Sequence, residues 1–168
     1  MAQQTIYAGQ EITAAFLNSI APLNAVRSST QSHTSNTTLS NDDTLFLALA
    51  ANATYSIELL MLYSGGTLGS SDLKWAFTLP SGASGGGGTS HLLPAGTYAN
   101  QATDLVTASN SANQCGTNGA GVSQAATVTA TLFTSSAGTL HLQWAQASSS
   151  GTATIMAVGS SLLAWRLA

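Results

Sequence analysis

The sequence contains very little charge. Of its 168 residues three are basic and six are acidic, so charged side chains make up 5% of the chain, against about 25% in an ordinary globular domain. Three scattered cations cannot form the basic cluster that nucleic-acid phosphates or an anionic membrane surface would require. We therefore expect neither nucleic acid nor a membrane among the partners.

Cysteine and long apolar runs are also scarce. The single cysteine, Cys115, can form no intramolecular disulfide, and its Gly/Asn-rich surroundings indicate an incidental loop thiol. The longest apolar stretch, residues 55–63, is interrupted by Glu58 and is too short to span a bilayer. Residues 1–4 lack the basic and apolar regions of a secretory signal peptide, so none is expected.

The polarity of the chain comes instead from Ser, Thr, Asn and Gln, while 44% of the residues are apolar. Free soluble domains normally carry mixed surface charge that keeps them apart. The length is that of one domain. Such a domain with so little charge is expected to bury much of its surface in a fixed assembly.

The first 23 residues differ from the rest and predict an attachment arm. Thr13 can cap a helix of about two turns that stops before Pro22. A helix this short is stable only when it docks onto its own domain or onto a neighbour. The arm residues that we expect to make this contact are Ile12, Phe16, Leu17 and Ile20.

Residues 24–168 have the pattern of an all-β domain. Short alternating runs, rich in Thr, Leu, Trp and Tyr, are separated by turn residues with no helical period between them. This spacing predicts an antiparallel β-sandwich. The predicted strands are 45–49, 55–63, 72–79, 127–133, 140–146, 152–156 and 161–167. Asn41-Asp42-Asp43 predicts a hairpin or Asx turn, and residues 80–124 predict long loops around irregular strands near 90–93 and 97–106.

Several predicted strands have no polar face. Leu45, Leu47 and Leu49 alternate with Phe46 and Ala48. A sandwich strand normally shows one face to water. The last strand repeats the pattern with Leu162 and Ala164 opposite Leu163 and Trp165. A second copy of the chain is the simplest cover for the additional apolar face.

No residue pattern predicts catalysis, a cofactor or a metal. Gly82–Gly86 fits G-x-S-x-G around Ser84, but no helix can follow it, as a nucleophile elbow requires. The three histidines, His33, His91 and His141, do not have the spacing of metal ligands within one chain. A metal ion on a three-fold axis, bound by one histidine from each copy, stays open as an alternative. Core packing is the favoured interpretation of Trp75, Trp144 and Trp165, and a sugar platform is the alternative. Any bound carbohydrate is expected at the loops of residues 80–124.

Glu58 and Arg166 interrupt runs that otherwise indicate buried strands. An unpaired buried carboxylate costs several kcal/mol, so it needs a cationic or hydrogen-bonding partner. We predict that Glu58 pairs with Arg166, within one subunit or across an interface between copies. The alternative is that both side chains reach the rim of the sandwich and are solvated.

The chain also resembles small virion proteins from the structural gene blocks of tailed bacteriophages, particularly those of actinobacteria. The resemblance covers most of the chain and rests on residues 8–18 (AGQEITAAFLN), 49–58 (LAANATYSIE), 72–82 (DLKW…PSG), 138–146 (GTLHLQWAQ) and 159–166 (GSSLLAWR). It implies a jelly-roll sandwich similar to tumour-necrosis-factor-like trimers, with the arm of residues 1–23 as the attachment element. It supplies no catalytic residues.

Together these observations predict a non-enzymatic virion protein, made in the host cytoplasm and displayed on the particle surface as a homotrimer that contacts other virion proteins. The sequence has no heptads, collagen-like repeat or β-helix repeat that could build a fibre shaft. A compact capsid decoration protein is therefore favoured. The alternative is a minor tail or tail-tip protein, including a receptor-binding knob that binds host-surface carbohydrate.

Overall fold

The computed structural model describes residues 8, 9, 11–14, 21–104 and 113–167. Within these residues the chain forms β-strands joined by turns. The strands are β1 (Leu23–Val26), β2 (Gln31–His33), β3 (Ser40–Leu49), β4 (Ala53–Ser64), β5 (Leu73–Thr78), β6 (Ser84–Leu92), β7 (Tyr98–Asp104), β8 (Gln114–Cys115), β9 (Gln124–Thr134), β10 (Gly138–Gln146), β11 (Thr154–Met156) and β12 (Ser161–Arg166).

The strands form two antiparallel sheets, so the prediction of an all-β antiparallel sandwich is confirmed. The large sheet has the order β1-β12-β4-β9-β6-β7, and β11 pairs with both β2 and β4. The small sheet has the order β3-β10-β5-β8. Neighbours in both sheets are mostly distant in sequence, as the pairing of β1 with β12 illustrates.

The core lies between the two sheets because alternate residues of the long strands face inward. In β4 every second side chain from Tyr55 to Tyr63 is buried, and β9 pairs with β4 from Ala53 opposite Thr134 to Tyr63 opposite Gln124. The small sheet adds Leu45, Leu47 and Leu49, whose predicted orientation is confirmed. Full burial of a leucine stabilises the fold by roughly 1.5–3 kcal/mol.

The predicted turn at Asn41-Asp42-Asp43 forms inside a strand rather than in a hairpin. The pairing of β10 with β3 shifts register between His141, opposite Phe46, and Gln143, opposite Asn41. Asp42 Oδ1 accepts hydrogen bonds from the backbone N–H groups of Thr44 (2.9 Å) and Leu45 (2.8 Å). The side chain therefore makes the Asx contact that its residue type favours, within an irregularity of β3.

The prediction of a loop at the glycine run was wrong. Gly85 and Gly87 lie in β6, which pairs with β9 along one edge and with β7 along the other. A Cβ atom at Gly85 would overlap the carbonyl oxygen of Thr131, and one at Gly87 would overlap that of Thr129. Glycine permits this close approach of two backbones, and a single sequence gives no sign of it.

Two further expectations were wrong. Cys115 is fully buried on β8, opposite Leu73, and burial raises the pKa of its thiol to about 12. It is an inert core residue rather than a loop thiol. Trp75 and Trp144 are buried in the core as expected, but Trp165 is 43% exposed, because the alternation of β12 directs it away from the core.

The predicted arm falls mostly outside the described residues. Phe16, Leu17 and Ile20 are not among them, and neither is most of the predicted helix. Ile12 is described and is 52% exposed. The helical arm and its docking stay predictions. In the part of the chain that the structure describes, no helix has the length and apolar character needed to cross a membrane.

Candidate functional site

The face of the large sheet that points away from the small sheet is the most distinctive surface of the described chain. We call it the outer face. Strand register aligns its side chains in two rows that cross the sheet from β7 to β1. The first row is Ala102, Gly88, Thr129, Glu58, Leu163 and Asn24. The second row is Asn100, Ser90, Thr127, Leu60, Ser161 and Val26.

The half of the outer face formed by β1, β12 and β4 has a cluster of apolar side chains around one carboxylate, with Asn24 and Ser161 as its other polar residues in the two rows. Val26 is 54% exposed and Trp165 is 43% exposed. Leu60 and Leu163 lie half-buried between them, and Glu58 is exposed beside Leu163. Clusters of exposed apolar side chains on soluble proteins commonly mark contact surfaces.

A depression of about 290 Å³ lies at the centre of the outer face. Its walls come from Glu58, Leu60 and Leu163, and its other side from Thr127 and Thr129. The lining thus combines aliphatic walls with a single carboxylate. We call it the central depression.

The other half of the outer face, formed by β9, β6 and β7, carries no charged side chain in the two rows. A groove of about 350 Å³ follows these strands. Its outward side chains are hydroxyls and an amide, with Gly88 and Ala102 between them. It adjoins the central depression at Thr127 and Thr129, which line both. We call it the hairpin groove, because β6 and β7 form a hairpin.

Glu58 and Arg166 do not meet within one chain. Glu58 pairs with Leu163 and Arg166 with Tyr55, three positions apart on the β4–β12 ladder. Because side chains alternate along strands, this odd separation places them on opposite faces of the sheet. Both residues are exposed. A pair between two copies stays a prediction.

A different buried ion pair is present. Arg27 is 1% exposed, and its Nη1 donates to Asp42 Oδ1 (2.6 Å) and to Asp43 Oδ1 (2.7 Å). Asp42 Oδ2 also accepts a hydrogen bond from Trp144 Nε1 (3.0 Å). Desolvation raises the pKa of Asp43, but hydrogen bonds from Arg27 and Thr44 and the charge of Arg27 outweigh it and hold that pKa below its usual value.

Sequence reasoning missed this cluster. The adjacent acids Asp42 and Asp43 in a chain with three cations were the available signal, since a buried acid needs a partner. The cluster ties the segment after β1 to β3; its Arg27–Asp42 pair is enclosed by the fold, and Asp43 lies at the surface. It is a structural element rather than a reactive site.

The histidines are dispersed. His91 is 2% exposed on β6; burial lowers its pKa, and the backbone of Gln114 acts in the opposite direction by less. His33 packs edge-to-face on Trp144, with ring centroids 4.2 Å apart; desolvation lowers its pKa, and the charge of Asp42 partly opposes this. His141 Nε2 contacts the carbonyl oxygen of Asp42 (2.7 Å).

These positions do not form a cluster of metal ligands. Among the described residues no group of three or more His, Cys, Asp or Glu side chains is placed to hold a metal ion. His91 is buried inside its own chain, so the alternative of a metal on a three-fold axis concerns only His33 and His141. Ser84 is the first residue of β6 and pairs with Phe133, so no strand-to-helix elbow presents it.

No protein-family model matches the sequence, and no curated protein matches it. Among solved structures, the tripod (BppUct-A-L) from the baseplate of bacteriophage Tuc2009 is similar over 99% of this chain and 75% of that chain, with 13% sequence identity and a TM-score of 0.36. A likeness at this TM-score establishes neither the fold nor the function of this chain.

Proposed function

We propose that this chain is a non-enzymatic structural protein of a tailed-bacteriophage virion. In this proposal it acts as a homotrimer on the particle surface, is made in the host cytoplasm and attaches to other virion proteins through the arm of residues 1–23. Capsid decoration is the favoured role, and a minor tail or tail-tip protein is the alternative.

The proposed fold is a jelly roll, and the strand order supports it. If β1, β3, β4, β5, β8, β9, β10 and β12 are numbered one to eight, the sheets have the orders 1-8-3-6 and 2-7-4-5. A ribbon of four antiparallel strand pairs (1 with 8, 2 with 7, 3 with 6 and 4 with 5) wrapped into two sheets produces this interleaving. Jelly rolls are frequent in viral capsid and lectin domains. The β6–β7 hairpin then extends one sheet beyond strand six.

The apolar half of the outer face is the observation that carries the proposal. Val26 and Trp165 are each more than 40% exposed on this half, in a chain with only nine charged residues to keep copies apart. A closed symmetric assembly covers such a face without forming a filament. In the proposed trimer the β1–β12–β4 half lies between copies.

Immunogold electron microscopy of particles made by a phage that encodes this chain tests the proposed location. Gold spread over the head supports capsid decoration, and gold at the tail or its tip supports the alternative. Particles that remain unlabelled, while the antibody recognises the protein in the lysate, would overturn a virion role.

A further inference from the structure

We propose that the hairpin groove binds the terminal one or two sugar residues of a neutral glycan. The proposal rests on the shape and chemistry of β9, β6 and β7. It does not depend on where in a particle the protein is located, or on whether it belongs to a particle at all.

One residue of the groove, Gly88, has no side chain although the fold would accept one there. Gly85 and Gly87 are explained by packing, because a Cβ atom on either would overlap β9. Gly88 is different: the nearest atom to a Cβ atom built there is the carbonyl oxygen of Gln101, at 3.6 Å, which is an ordinary contact. Glycine in the interior of a strand weakens it, and at position 88 close packing does not require it. The effect of glycine there is to leave open space beside the strand. That open space belongs to the groove.

The lining provides paired donors and acceptors without charge. Across the three strands, Ser90 lies between Asn100 and Thr127, and Gly88 lies between Ala102 and Thr129. Hydroxyl and amide groups each donate and accept hydrogen bonds, which is the pattern that the hydroxyl groups of a sugar match. An ion would require an opposite charge, which this lining lacks.

The surroundings favour a neutral ligand over an anionic one. Glu58 lies one strand beyond Thr129, and the groove lining contains no cation, so a carboxylate or phosphate there would lie near a negative charge with no positive group of the lining to bind it. The volume of about 350 Å³ lies near the lower end of the roughly 300–1,000 Å³ range of small-molecule sites. The groove lies on paired strands, which hold its side chains more precisely than loops do.

The test is a titration of the assembled protein, labelled with nitrogen-15, with neutral mono- and disaccharides of glucose, galactose, mannose and N-acetylglucosamine. We expect at least one of them to shift the amide signals of Gly88, Ser90, Thr127 and Thr129. Sialic acid is the anionic comparison and should shift them far less. The best disaccharide, coupled to beads through its reducing end, should retain the protein, as the end of a glycan chain would.

Two kinds of variant locate the site. Gly88→Val fills the groove and should abolish the shifts. Thr129→Val keeps the branched shape but removes a hydroxyl, and should weaken binding by about fivefold, the effect of losing one hydrogen bond. Thr131→Val is the matched control, because Thr131 is the next outward threonine of β9 and lies outside the groove. This variant should bind the sugar with the affinity of the wild type.

Three results would overturn the proposal. One is that none of the neutral sugars shifts these signals. A second concerns ligand selection: either sialic acid binds as well as the best neutral sugar, or the bead-coupled form of that sugar fails to retain the protein. The third is that Thr129→Val and Thr131→Val both bind like the wild type while both variants remain folded, since the sugar would then lie elsewhere.

Discussion

Arg27 and Asp42 form an ion pair whose two side chains are completely buried, with 2.6 Å between Nη1 and Oδ1. The pair joins the segment between β1 and β2 to the irregular start of β3. Asp42 also accepts hydrogen bonds from two backbone N–H groups of β3 and from Trp144. Both charges are therefore held by several partners in a place that water does not reach.

Removing one partner should be costly. We predict that Arg27→Met lowers the free energy of unfolding by about 3–5 kcal/mol, because Asp42 is left as an unpaired buried charge. The measurement is urea unfolding at neutral pH. Lys74→Met, which removes a half-buried cation of the small sheet, is the control and should cost under about 1 kcal/mol.

A double variant separates the pair from simple packing. Arg27→Met combined with Asp42→Asn should cost clearly less than the sum of the single changes, because the second change removes the charge that the first leaves unpaired. Additive costs would show that the two residues do not stabilise one another.

Acid should destabilise the fold through two histidines. His91 and His33 have folded-state pKa values below the ordinary 6.5, so the unfolded chain binds more protons. Their contribution is fully present above pH 6.5 and is lost as the pH falls towards the folded-state values, by up to about 1.4 kcal/mol per pH unit for each group. Unfolding measured between pH 7.5 and pH 5 should show this slope.

The variant His33→Gln/His91→Gln serves as the control for that slope. Its stability should change less between pH 7.5 and pH 5 than that of the wild type, whatever its stability at pH 7.5. An unchanged slope would assign the acid sensitivity to other groups.

Glu58 retains a predicted partner in another copy. Arg166 lies on β12 next to β4, but on the opposite face of the sheet from Glu58, so a contact between the two side chains needs two different copies. If the outer face is an interface, Glu58 would be buried there and would need a cation. We predict a coupling energy above about 1 kcal/mol between Glu58→Gln and Arg166→Met in the assembled protein, measured by a double-mutant cycle. Strict additivity would show that the two side chains do not meet.

The arm should be needed for attachment rather than for folding. A chain of residues 24–168 should unfold at nearly the same temperature as the full chain, because a two-turn helix adds little unless it is docked. The same truncation should abolish incorporation into particles. A lost thermal transition would show that residues 1–23 belong to the core.

The parts of the fold that depend on local alternation were predictable. Tyr55–Tyr63 and Leu45–Leu49 alternate between core and surface, so their burial could be predicted from the sequence. Features that depend on distant backbone could not be predicted. Strand β6 can pair with β9 because Gly85 and Gly87 let the two backbones approach closely. Arg27 binds Asp42 across fifteen positions of sequence.

The candidate site was likewise predictable only where it depends on local alternation. The sequence showed that both faces of the last strand are apolar, but it did not show that Leu163 and Trp165 are the residues that point away from the core. The hairpin groove was not recognised, because it depends on the register that places Gly88 and Ser90 between two other strands. The sequence suggested residues 80–124 as the segment that would bind any carbohydrate, but it did not show which strands of that segment form a groove.

The mass of the protein in solution tests the central claim most directly, which is that copies assemble through the outer face. Light scattering at micromolar concentration should return three times the 16.9 kDa chain mass. Trp165→Asp should lower that mass, whereas Phe46→Asp, at a side chain of similar exposure on β3 of the small sheet, should leave it unchanged. A stable wild-type monomer, or a trimer that only Phe46→Asp dissociates, would contradict the account.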